Sequence, residues 1–337
     1  MTREFKKIIE TFSLLQKLGQ KAVLATVVCV EGSSYRKEGV RMLILENDAT
    51  VGAISGGCVE KEVIRQAQAV FITGISKMMI YDGRYRLGCE GTLYILLEEM
   101  SFDHEQLLTI QNLFTARDSF YIHTYFSIES ETKTMGSQLV LPTGDFVSVK
   151  KGIQLDLGIR CFIEKLEPCF QLVILGAEHD SIKLCEIASA TGWEVTVVCS
   201  PKDPKSKKDF PGISHMLTSG PENFSLNTID SQTAVVLMSH NFAKDILFLK
   251  ALKDSKPVYI GLLGAAKRRE QLLDAYLDYH PEVEDCFLDK IHGPTGLNIG
   301  AITPSEIAIS IVSEILVVTR KKQLFALQNK TRAAYSS

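Results

Sequence analysis

The chain has almost no excess of charge of either sign: 37 Lys and Arg stand against 40 Asp and Glu in 337 residues, a formal net charge of -3. Non-specific nucleic-acid binding depends on many cationic contacts to phosphate, so no nucleic-acid partner is expected. The one basic cluster, Lys202, Lys205, Lys207 and Lys208, is interrupted by Asp203 and Asp209 and reads as a solvated loop. Long apolar runs are missing too. The stretch 22–30 is about half of the ~20 residues that a membrane helix requires. The opening MTREFKKIIE lacks the apolar core and cleavage site of a signal peptide, so a cytoplasmic protein with no membrane partner is expected. The 8 cysteines form no CxxC pair and no compact framework, which argues against a structural zinc site or a disulfide scaffold. A composition that is 45% hydrophobic and 23% charged excludes a disordered or fibrous chain.

What is present is enough for two cores, at roughly 100–200 residues per domain. The boundary is placed at Glu167-Pro168, giving domains 1–167 and 168–337. Phe5, Ile8, Ile9, Phe12 and Leu15 recur at helical spacing. After them come strand-like runs at 22–30, 40–46 and 50–54, a helix at 58–71, and strands at 78–81 and 92–98. The middle, 102–167, is less regular, with strands expected at 121–126, 138–141 and 146–149. Beyond 168 the pattern changes to alternation: strands at 172–175, 194–198, 234–238 and 258–263 are separated by helices at 181–190, 241–252 and 267–276. Such alternation predicts a parallel sheet with helices on both faces. Thr303-Pro304-Ser305-Glu306 has the residues of a capping box with proline at the first helical position, and opens the last helix. The fold class is therefore an N-terminal α+β domain followed by a Rossmann-like α/β domain.

The first turn of that second domain, Gly176-Ala-Glu-His-Asp-Ser181, stands where a phosphate loop would, with Glu178 and Ser181 in place of the second and third glycines of GxGxxG. No carboxylate follows the second strand, which ends Val198-Cys199-Ser200, so nicotinamide nucleotide binding is doubtful. Candidate contacts at the other strand ends are His240 and Asn241, then Gly264 ahead of Lys267, Arg268 and Arg269, then His292 in a long glycine-rich segment. Arg269 reads as a solvated surface charge. In the first domain, Ser55-Gly56-Gly57-Cys58-Val59-Glu60 sets a thiol at a helix start, where exposed N–H groups favour a thiolate. Gly88-Cys89-Glu90-Gly91 sets a second thiol between glycines, whereas Cys29 and Cys185 read as core residues. Ser33, Ser34 and Arg36 add hydroxyls and a cation suited to phosphate.

In this order, Gly32-Ser-Ser-Tyr-Arg36, Ser55-Gly-Gly-Cys-Val-Glu60, Gly88-Cys-Glu-Gly91, Ser239-His-Asn-Phe242, Tyr259-Ile-Gly-Leu-Leu-Gly264 and His292-Gly-Pro-Thr-Gly-Leu-Asn-Ile-Gly300 resemble the XdhC/CoxI family of xanthine dehydrogenase maturation factors. The resemblance implies a chaperone that binds molybdenum cofactor transiently, assists its sulfuration with a cysteine desulfurase, and delivers it to a molybdenum hydroxylase apo-enzyme. It implies that Cys58 and Cys89 come nearest the cofactor's metal or sulfur and that Arg36 meets its phosphate. Two departures stand out. Glu90 replaces a glycine of the family's Gly-Cys-Gly-Gly, and the usual fuller glycine loop and Asp after the second Rossmann strand are missing. An accessory factor is expected rather than a self-contained enzyme. An NAD(P)-dependent oxidoreductase and a persulfide relay on Cys58 or Cys89 are the alternatives. A homodimer is expected from the apolar face of the C-terminal helix.

Overall fold

The computed structural model describes residues 1–32, 37–55, 57, 59–83, 91–128, 134–224, 227–280 and 285–324. It divides into two compact units, Met1–Pro168 and Cys169–Ser337.

The first unit opens with α1 (Thr2–Lys17), whose apolar stripe Phe5, Ile8, Ile9, Phe12 and Leu15 is buried along its whole length. A five-stranded antiparallel sheet follows, formed by β1 (Ala22–Glu31), β2 (Arg41–Leu45), β3 (Thr50–Gly52), β4 (Lys77–Asp82) and β5 (Thr92–Met100) in the order β3-β2-β1-β5-β4. The central strand β1 is buried from Ala22 to Val28, which explains an apolar run without alternation. Helix α2 (Glu60–Thr73) covers one face through Val63, Ala67 and Val70. Helix α3 (His104–Ala116) joins α1 in the other core through Leu107, Ile110 and Leu113. A second sheet, β8-β7-β6-β9, consists of β6 (Phe120–Phe126), β7 (Gly136–Val140), β8 (Phe146–Ser148) and β9 (Arg160–Leu166). Val28, Tyr94 and Leu96 of the first sheet pack against Phe126 of the second and Met135 beside it.

Polar groups are buried in that packing as well. Arg41 of β2 pairs with Glu164 of β9 at 2.5 Å, and both are almost wholly buried. Glu98 of β5 is fully buried and accepts from the Ser137 amide at 2.8 Å and the Ser137 hydroxyl at 2.5 Å.

The second unit is an entirely parallel six-stranded sheet of β10 (Gln171–Leu175), β11 (Glu194–Cys199), β12 (His215–Thr218), β13 (Thr233–Leu237), β14 (Tyr259–Leu262) and β15 (Ile291–His292), in the order β12-β11-β10-β13-β14-β15. The chain thus runs outward from β10 on one side, returns to its other side at β13, and runs outward again. That reversal is the strand order of doubly wound nucleotide-binding folds, with a crevice at the carboxyl ends of β10 and β13. Helices α4 (His179–Ala190) and α8 (Pro304–Thr319) cover one face, while α5 (Phe242–Leu252) and α6 (Ala266–Tyr279) cover the other. The short α7 (Asp285–Leu288) precedes β15.

The structure adds what periodicity did not disclose: α3, β9, β12, α7 and β15. One cysteine reading also changes. Cys29 is half-buried rather than a core residue, and Cys161, on β9, is exposed. Cys185 is a core thiol, pushed up to about 12 by burial and then by Glu186.

Candidate functional site

Ser33, Ser34, Arg36, Gly56, Cys58, Gly88 and Cys89 lie outside the described residues, but the elements that lead into their segments do not. Glu31 at the end of β1 pairs with Thr92 at the start of β5, and Thr92 pairs with Asp82 at the end of β4. Gly52, ending β3, lies opposite Met42 at the start of β2. The antiparallel register therefore sends the segments after β1, β3 and β4 out from the same end of the sheet. Two of these segments are closed at the base by a hydrogen bond: Gly83 N–H donates to the Gly91 carbonyl (3.0 Å) between β4 and β5, and Gly39 N–H to that of Val27 (2.9 Å) between β1 and β2.

Ahead of α2, Ser55 and Glu60 brace each other. The Ser55 amide and hydroxyl donate to the Glu60 carboxylate at 2.6 and 2.7 Å, and the Val59 amide donates to the Ser55 hydroxyl at 3.3 Å. Burial pushes the Glu60 carboxyl up, but the hydrogen bonds from Ser55 and the backbone outweigh it and hold the group below its ordinary value. Val59 is the N-cap of α2, and Gly57 has a positive φ of 115°.

In the second unit the candidates gather at the carboxyl edge of the sheet. Gly176 follows β10 with φ 131°, and a Cβ there would lie 2.4 Å from the Met238 carbonyl oxygen. Only glycine lets the first turn cross the end of β13 so closely. Ser181, in place of a third glycine, is buried and donates its hydroxyl back to the Glu178 carbonyl (2.5 Å), so α4 still packs on the sheet. At the end of β13, Ser239 donates to Asp245 Oδ1 (2.5 Å), and Arg268 of α6 pairs with Asp245 Oδ2 (2.7 Å). His240, with φ 50°, is exposed. The Asn241 side chain caps α5 by accepting from the Lys244 amide (3.1 Å).

Two clefts open along this edge. One, of about 670 Å³, brings together His240, Gly264, Asp180 and the segment from Pro294 to Ala301. The other, of about 170 Å³, lies over Gly176, Ser200, Gly220 and Ser239, with Lys202, Lys205 and Lys244 around it. His292 is not a wall residue of either cleft. Its ring stacks on Tyr259 at 4.5 Å, and its Nδ1 lies 3.5 Å from Glu314. Glu314 also accepts from the Tyr259 hydroxyl (2.5 Å) and the Gly296 amide (2.7 Å), so one carboxylate on α8 pins the whole segment. Burial raises that carboxyl and the hydrogen bonds from His292, Tyr259 and Gly296 lower it more.

Asp245 and Glu314 were both missed from sequence. The signal for Glu314 was a lone acid in the apolar run Ile311-Val-Ser-Glu-Ile-Leu-Val-Val318. Arg269 is half-buried rather than a solvated charge, and its side chain packs against Gly293. Among the described residues no cluster of three or more His, Cys, Asp or Glu could hold a metal ion, and no helix is long and apolar enough to cross a membrane.

Residues 172–315 match the XdhC Rossmann domain, and residues 15–82 match the XdhC and CoxI family. A protein of Bacillus subtilis (strain 168) named as a probable xanthine dehydrogenase subunit is 30% identical over 326 residues, covering 90% of this chain and 94% of that one. The molybdenum cofactor insertion chaperone PaoD from Escherichia coli (strain K12) is 24% identical over 305 residues, covering 89% and 84%. A crystal structure described as a xanthine dehydrogenase from Bacillus halodurans superposes with a TM-score of 0.76 at 28% identity, covering 94% of this chain and 96% of that one. With both units matched in order and a 30% identical relative aligned over nearly its full length, the chain belongs to the XdhC and CoxI family.

Proposed function

We propose that the protein is a molybdenum cofactor chaperone that takes the cofactor as cargo and hands it to a xanthine dehydrogenase-type hydroxylase. The observation that carries this reading is the similarity to PaoD, a molybdenum cofactor insertion chaperone, across both units rather than across the Rossmann unit alone. The sheet geometry supports it. The three segments that carry Arg36, Cys58 and Cys89 in sequence leave one end of the first sheet, where soft sulfur and a guanidinium suit a metal dithiolene and a phosphate.

In this reading Cys58 and Cys89 meet the cofactor's metal or its sulfur, a cysteine desulfurase supplies sulfur while the cargo is held, and the chaperone acts in the cytoplasm as a homodimer. The purified protein is expected to bind the cofactor, measured as its fluorescent oxidation product. Cys58→Ala and Cys89→Ala should each lower the bound fraction at least tenfold while leaving thermal unfolding unchanged. Failure of the wild-type protein to bind, or variants that retain cofactor like wild type, would sink the reading.

A further inference from the structure

The smaller cleft at the strand reversal carries cations that the cofactor reading does not use. In a dinucleotide-binding fold, the residue after the second strand meets the adenosine ribose: a carboxylate holds free ribose hydroxyls, and a cation nearby accommodates a ribose phosphate. Here the second strand of the sheet, β11, ends in Cys199, and the next residue is Ser200, a neutral hydroxyl. Lys202 and Lys205 follow it on the same loop, and both line the cleft.

A third cation arrives from the other side of the reversal. Lys244, in the first turn of α5, reaches its Nζ to within 3.3 Å of the Ser200 hydroxyl. That contact joins the β11 loop to the helix after β13, across residues 44 apart in sequence. Lys244 is half-buried, and among the described residues neither it nor Lys202 has a carboxylate within ion-pair distance. Lys205 is different, because Asp203 holds it at 2.7 Å. The acid that would repel a bridging diphosphate, Glu178, lines the same cleft at the turn before α4 and lies close enough to Lys205 to act on its charge. Three cations and two carboxylates, Asp203 and Glu178, therefore share the cleft, and Asp203 is taken up by Lys205, which leaves Lys202 and Lys244 to meet an anion.

We propose that this cleft binds a phosphate monoester carried on a heterocyclic ligand, with Lys244, Lys202 and the Ser200 hydroxyl as donors. The same chemistry is offered by the ribose 2′-phosphate of a nucleotide and by the phosphate of a phosphorylated pterin. Both are dianionic near neutral pH and have several acceptor oxygens for charge-assisted hydrogen bonds.

The test is calorimetric titration of the full-length protein with two pairs of probes. One pair is NADP⁺ against NAD⁺, and the other is the fluorescent pterin oxidation product with and without its phosphate. In at least one pair the phosphorylated member should bind tenfold or more tightly, which also identifies the source of the phosphate. Lys244→Ala and Lys202→Ala should each weaken that member about tenfold, a loss that shrinks as salt is raised. Glu178→Gln should change affinity in the opposite direction, tightening NADP⁺ severalfold if the nucleotide is the ligand. This gain cannot arise from misfolding. Absence of a phosphate preference in both pairs, or a preference that survives both lysine substitutions, overturns the proposal. Because the chaperone reading is scored by cofactor lost in Cys58→Ala and Cys89→Ala, and this one by a phosphate preference lost in Lys244→Ala and Lys202→Ala, the two can fail separately.

Discussion

Glu98 shows how much one buried carboxyl can alter the pH response of a unit. Burial pushes it from 4.5 up to about 7, against the pull of two hydrogen bonds from Ser137 and the positive charges of Arg41 and Lys150. The folded chain therefore holds this proton more tightly than the unfolded chain does. From this group the first unit loses no stability below pH 4.5, loses it progressively as pH rises from 4.5 to about 7, and loses no more above that. Glu98→Gln removes the titration while keeping one acceptor for Ser137. Across that window the variant should gain on the wild type by up to about 3 kcal/mol, read from urea unfolding at a series of pH values. A difference that does not vary with pH would refute it. None of this was legible in sequence. Glu98 ends a strand-like run and stands beside a second acid, the half-buried Glu99, and only the pairing of Ser137 over it reveals its burial.

At the scale of elements, the last helix is the clearest case of sequence specifying structure. Thr303 accepts from the Glu306 amide, and Glu306 accepts from the Thr303 and Ile302 amides, with Pro304 at the first helical position. Thr303→Ala should cost about 1 kcal/mol, read as a lower urea midpoint at unchanged slope. A change of slope would mean that the native or denatured state had altered instead. The same chemistry begins α3, where Asp103 and Gln106 form a capping box. That helix escaped reading because its buried stripe is narrow, Leu107, Ile110 and Leu113, with the exposed Leu108 lying off it. Strand β9 escaped for a related reason. Only Glu164 and Leu166 of its seven residues are buried, one of them an acid, and its partner β6 lies far upstream. Strand β12, at the sheet edge, has no buried residue to signal it.

At the scale of the molecule, each unit has its own cores, and the chain's only tryptophan, Trp193, packs on Phe170 inside the second. Its fluorescence therefore reports one unit. Thr303→Ala should lower the fluorescence midpoint, whereas Glu98→Gln should leave it in place and move the remaining transition seen by circular dichroism. A fluorescence midpoint that follows Glu98 would mean that the two units unfold as one.

The sequence by itself determined that the second half is a parallel α/β sheet, where its last helix starts, and which motifs belong to the family, because capping and periodic burial are written in neighbouring residues. Tertiary structure decided the rest. Strand order placed Gly176 under the end of β13, and sheet register made β3 and β4, which lead toward Cys58 and Cys89, finish at the same end of the sheet. Packing turned His292 onto Tyr259 and Glu314, and brought Lys244 to Ser200. These are contacts between residues distant in the chain, and local periodicity says which face of an element is buried without saying what will lie against it. The basic cluster that opened as a solvated loop between acids shows the difference. Two of its four members, Lys202 and Lys205, acquire a shared cleft only when α5 adds a third cation from the far side of the reversal.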